Sequence, residues 1–140
     1  MIYTDRLSEK TLARALCIIA EAQRSATYLS PKWFGVLMLG GHRKSGWSYG
    51  GGLSQHIDNN SIYSFRLGIR DSPFYGEGGN KSHSMTCNKS RFLLAMLEVC
   101  GWIVMGHEMR APIERAPHVL TAKAEEFLVS YAKKHGRRFV

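Results

Sequence analysis

The chain has 140 residues, 44% hydrophobic and 21% charged, the balance of one globular domain able to bury a core rather than of a disordered segment. Nineteen Lys and Arg against eleven Asp and Glu leave a formal net charge of +8, which attracts polyanions and makes nucleic acid the first partner to test. Cys17, Cys87 and Cys100 form no CxxC pair, which excludes a zinc knuckle and a disulfide framework and points to a reducing, cytoplasmic setting.

Near the N-terminus, Asp5 and Glu9 precede a short apolar run, Leu16 to Ala20, that Glu21 interrupts. This is neither a signal peptide nor a membrane span, so a soluble protein with no membrane partner is expected. A first helix should start after Ser8 as N-cap and run towards Arg24, with Leu12, Leu16, Ile19 and Gln23 on one face. Ser30-Pro31 opens a second helix, since proline at the first helical position loses no hydrogen bond. Leu29 and Phe34 are spaced for a hydrophobic staple. Phe34, Leu37, Met38 and Gly41 keep helical spacing, and Gly40-Gly41 should stop the helix.

Residues 42–52 read as a glycine-rich linker, because Gly50-Gly51-Gly52 fits neither GxxxxGK[ST] nor GxGxxG. Leu53 to Asn59 suits a short helix, and Ile62 to Ile69 fits a strand or a helix. Arg70 to Ser84 is loop by composition. Trp47, Tyr49, Phe74 and Tyr75, with Arg43, Lys44 and Arg70 nearby, suit either stacking of single-stranded bases or packing of the loops.

Thr86 or Asn88 is expected to cap a third helix over residues 86–100, with Leu93, Leu94 and Leu97, backed by Ser90 and Phe92, as its apolar face. Its first turn carries Asn88, Lys89 and Arg91. These donors suit phosphates and the edges of adenine and guanine. Gly101 should end the helix in the left-handed conformation. A strand over Trp102 to Met109 with apolar alternation at Trp102, Val104 and Met109, a tip over Arg110 to Pro117, and a return strand at His118-Val-Leu complete a hairpin. Thr121 then caps a last helix whose core face is Ala124, Phe127, Leu128 and Tyr131, and whose last turn holds Lys133, Lys134 and His135. The fold class expected is mainly α with a small β-hairpin, in one domain over 1–140.

In this order the elements resemble the winged helix-turn-helix proteins of the MarR type. The resemblance rests on Leu29-Ser-Pro-Lys-Trp-Phe-Gly-Val-Leu, Gly52-Leu-Ser-Gln-His-Ile, Leu97-Glu-Val-Cys-Gly-Trp-Ile and Leu120-Thr-Ala-Lys-Ala-Glu-Glu-Phe-Leu, and it spans residues 29 to 135. It implies a recognition helix at 86–100, a wing at 103–120 and double-stranded DNA as partner. It also implies a homodimer formed with help from the N-terminal helix in residues 1–28. The chain departs from the family's pattern by an insertion over 58–85, by Glu114-Arg115 in place of an Asp-x-Arg wing, and by Ala124 where a glycine is common.

The DNA-binding residues expected are Lys81, Thr86, Asn88, Lys89, Arg91, Arg110 and Arg115. An enzyme is not expected: the six histidines form no HExxH and no HxE with PCxxC, and His107-Glu108 and His83 near Lys81 lack further partners. No cofactor or metal is expected. The alternative is a protein-binding inhibitor or adaptor that uses the same scaffold, and its inserted loop, against a nucleic-acid-handling complex.

Overall fold

The computed structural model describes residues 7–38, 82–108 and 115–135. The readings made on residues 39–81, 109–114 and 136–140, Lys81 and Arg110 among them, lie outside the described residues. What is described is mainly helical: α1 (Glu9–Arg24), α2 (Pro31–Met38), α3 (Ser82–Val99) and α4 (Ala122–His135) surround a short antiparallel ribbon. In the ribbon β1 (Ile103–Val104) pairs with β4 (Val119–Leu120), and β2 (His107–Glu108) pairs with β3 (Arg115–Ala116).

The caps explain why the helices begin and end where they do. Ser8 Oγ accepts from the Thr11 N–H at 3.1 Å to open α1, and Ser30 Oγ accepts from the Trp33 N–H at 3.3 Å to open α2. Each side chain satisfies a donor that has no partner inside its helix. α1 ends with Thr27 N–H donating to Ala22 O at 2.8 Å and Ala26 N–H donating to Gln23 O at 3.0 Å. That closure forces Ala26 to a φ of +52°, where glycine is the usual occupant. α3 closes the same way, with Trp102 N–H on Leu97 O at 2.8 Å and Gly101 N–H on Glu98 O at 3.0 Å. Here the left-handed residue is Gly101, as its sequence position predicts.

α1 lies at the centre of the core. Every residue from Thr11 to Ala22 is buried, including Arg14 and Glu21. Leu16, Ile18 and Ile19 join Leu29, Phe34 and Leu37, then Leu94 and Leu97 of α3 and Leu128 of α4, in one apolar cluster. α2 packs most extensively against α3. Arg14 is 0% exposed; its Nε donates to Met38 O at 3.2 Å and its Nη2 to Leu37 O at 2.8 Å. A cation on the last carbonyls of α2 satisfies acceptors at the negative end of the helix dipole.

Two sequence expectations are corrected. The third helix begins at Ser82, so Thr86 is an interior residue rather than its cap. Ser82, Ser84, Thr86 and Asn88 are all capping types at alternate positions, and residue type alone does not choose among them. In the ribbon the inward strand residue is Ile103, 2% exposed, while Val104 is 57% exposed. Cross-strand partners share a face, so buried Ile103 faces buried Leu120 and exposed Val104 faces Val119. The left-handed turn at Gly101 sets that parity, and hydrophobic alternation does not report it. Trp102 is half-buried against the core, edge-on to Phe127 with ring centroids 5.5 Å apart and the Lys123 ammonium 4.0 Å from its ring.

Candidate nucleic-acid interface

α3 divides cleanly between a core face and an outer face. Ser90, Leu93, Leu94 and Leu97 are buried, the i, i+3, i+4, i+7 spacing of one helical stripe. That stripe fixes the helix on α2 and turns the remaining positions outward. Asn88, Lys89 and Arg91 all fall there and are exposed, so three of the expected residues share less than one helical turn of surface. Thr86 lies one turn earlier on the same helix backbone. Arg115 is placed in β3, opposite Glu108 of β2.

Phe92 was expected to back the apolar face, yet it is 55% exposed. At about 100° per residue it falls on the side of the helix opposite the stripe of Ser90, Leu93, Leu94 and Leu97. With exposed Ala95 and with Val99, 84% exposed, it extends the outer face as an apolar continuation of the basic turn. Farther along, Glu98 reverses the charge, and its Oε2 accepts from the Met105 N–H at 3.2 Å. The helix therefore presents its cations about two turns in from Ser82, not in the first turn that the sequence suggested, and ties its end to the ribbon.

The root of the ribbon is joined to the body by side chains that carry no sequence signature of their own. Gln23 Oε1 of α1 accepts from the Leu120 N–H at 3.0 Å. His118, 1% exposed, accepts at Nδ1 from the Gly106 N–H at 2.7 Å, and its Nε2 lies 3.0 Å from Leu29 O. An amide N–H can only donate and a carbonyl can only accept, so the ring is neutral with its proton on Nε2. Burial lowers the pKa of His118 below the ordinary 6.5, more than the Leu29 carbonyl and the Glu98 charge raise it. Thr121 links ribbon to α4: its hydroxyl donates to Gly101 O at 2.6 Å, and its oxygen accepts from the Ala124 N–H at 3.4 Å as the helix cap.

On α4 one local patch of the outer surface differs in sign, although exposed Lys123, Lys133 and Lys134 lie on the same helix. An open depression of about 560 Å³ is lined by Ala122, Glu125, Glu126, Val129 and Ser130, a surface that repels a polyanion. Among the described residues no three His, Cys, Asp or Glu side chains are grouped to hold a metal ion. No described helix is long and apolar enough to cross a membrane.

Compared with protein-family models, with curated proteins and with solved structures, the chain matches none.

Proposed function

We propose that this protein is a winged-helix DNA-binding regulator. α3 is its reading helix, inserted into the major groove of duplex DNA, and the ribbon is its wing. The observation that carries the reading is the exposed set Asn88, Lys89 and Arg91 on a helix whose opposite face is buried in the core. A helix fixed on one side and cationic on the other can hold phosphates and reach base edges without unfolding. Arg91 suits the guanine O6/N7 edge and Asn88 the adenine N6/N7 edge. Lys81, Lys89, Arg110 and Arg115 supply phosphate contacts, and Thr86 a further hydroxyl on the same helix. A two-fold dimer would read a symmetric site.

Selection of bound fragments from random duplex DNA, repeated at two salt concentrations, tests this reading. Enrichment of a symmetric motif that persists at the higher salt supports it; weak, sequence-blind retention that vanishes with salt contradicts it.

A second reading, an adaptor or inhibitor that binds a protein of a nucleic-acid-handling complex, is favoured by one feature. Phe92, Val99 and Val104 are all more than half exposed, and interface cores are rich in such side chains. Under that reading the random-DNA selection gives no motif.

A further inference from the structure

Halfway along the ribbon the backbone ladder is interrupted, and a histidine closes the gap. The register that pairs Val104 with Val119 and His107 with Ala116 sets Gly106 opposite Pro117. Proline has no N–H to return across the pair, and the Gly106 N–H donates instead to the His118 ring. The chains are crowded there: a Cβ on Gly106 would stand 2.1 Å from Ala116 O and 2.5 Å from the Pro117 carbonyl carbon. The inner pairing, by contrast, is held independently by Gln23 on the Leu120 N–H and by Trp102 O, which accepts from the Thr121 N–H at 3.0 Å.

We propose that His118 is a proton-operated latch for the outer half of the ribbon. Neutral, it bridges the Gly106 N–H and Leu29 O and holds the ribbon straight against the α1–α2 turn. Protonated, it carries a donor on each ring nitrogen, and Nδ1–H then opposes the Gly106 N–H at a distance where the two hydrogens repel. The imidazolium keeps Leu29 O and loses Gly106, so the pairing of β2 with β3 is freed to move relative to that of β1 with β4.

The groups facing the ring bear this out. α3 contributes Glu98, whose negative charge favours the imidazolium. The α1–α2 turn contributes the Tyr28 ring, tilted by 52° with centroids 5.4 Å apart, and the Leu29 carbonyl. α1 contributes the uncharged Gln23 at the neighbouring strand residue, while its terminal pair Glu21–Arg24 is closed within the helix at 2.8 Å. Because the folded-state pKa lies below 6.5, the unfolded chain takes up the proton first as the solution is acidified. The latch therefore contributes fully above 6.5 and is lost as the pH falls through the lower folded-state value.

The test reads the ribbon and not DNA, so its outcome is separate from that of the regulator reading. Amide exchange protection is followed by NMR in the full chain from about pH 7.5 downward until the His118 ring signals have titrated. The Gly106 amide should lose about tenfold protection, the equivalent of one net hydrogen bond. Its midpoint should coincide with the titration of the His118 ring, and the Leu120 amide should keep its protection. In His118→Gln the side-chain amide still offers one acceptor and one donor but does not titrate, and Gly106 should stay protected in acid. The latch is overturned by unchanged Gly106 protection in the wild type, by a midpoint that departs from that of the His118 ring, or by an acid loss that persists in His118→Gln.

Discussion

α1 and α3 are of similar length, 16 and 18 residues, and each carries arginine, yet they use their surfaces in opposite ways. α1 is covered on every side from Thr11 to Ala22 by this chain alone. α3 buries one stripe and exposes Asn88, Lys89, Arg91, Phe92, Ala95, Glu98 and Val99. Arg14 on the first is a strut across to α2; Arg91 on the second is surface that a partner can use. The same residue type on two helices of a basic protein is thus a buried strut in one place and exposed surface in the other.

The contrast can be broken or sharpened by substitution. Leu16→Ala, at a fully buried position of α1, should cost about 4 kcal/mol of stability in denaturant unfolding. Arg14→Leu should cost about 3 kcal/mol, because it leaves the Leu37 and Met38 carbonyls short of buried donors. A loss under about 1 kcal/mol would deny its role as a strut. Arg91→Ala should leave stability within about 0.5 kcal/mol of the wild type. If it reads a base bidentately, the same change should weaken duplex binding by about 2 kcal/mol and relax sequence preference; unchanged affinity and preference in a titration would remove it from the interface. Ala26→Gly should stabilise by about 1 kcal/mol, since the left-handed backbone at +52° disfavours a Cβ. No gain in thermal unfolding would mean that another contact offsets the strain. Arg115→Ala should lower the salt slope of DNA binding by about 1, and an identical slope would deny the wing a phosphate contact there.

Four helix ends were legible in the sequence, although the start of α3 was not. Ser8, Ser30, Thr121 and Gly101 act where local chemistry decides, through one hydroxyl on one orphan N–H or one glycine at positive φ. The core face of α4 was legible too, because Ala124, Leu128 and Tyr131 follow helical periodicity. Sequence reasoning lost hold where two elements meet. Whether Ile103 or Val104 turns inward is set by the angle at which Gly101 launches the strand, which no window of alternation contains. Arg14, Gln23, Glu98 and His118 act on backbone 7 to 97 residues away, and only tertiary packing makes those partners. On α3, Asn88, Lys89 and Arg91 were expected in the first turn, and they lie exposed in the middle of a helix that starts earlier, at Ser82. Phe92 was misplaced on the apolar face because its residue type was read ahead of its position: at about 100° per residue it falls opposite the stripe of Ser90, Leu93, Leu94 and Leu97.

Salt-dependent binding of a labelled duplex, measured side by side for the wild type and for Asn88→Ala/Lys89→Ala/Arg91→Ala, tests the central claim most directly. The account predicts a folded triple variant with wild-type unfolding behaviour, much weaker binding and a shallower dependence on salt. A triple variant that folds and binds duplex DNA with the wild-type affinity and salt slope would contradict it.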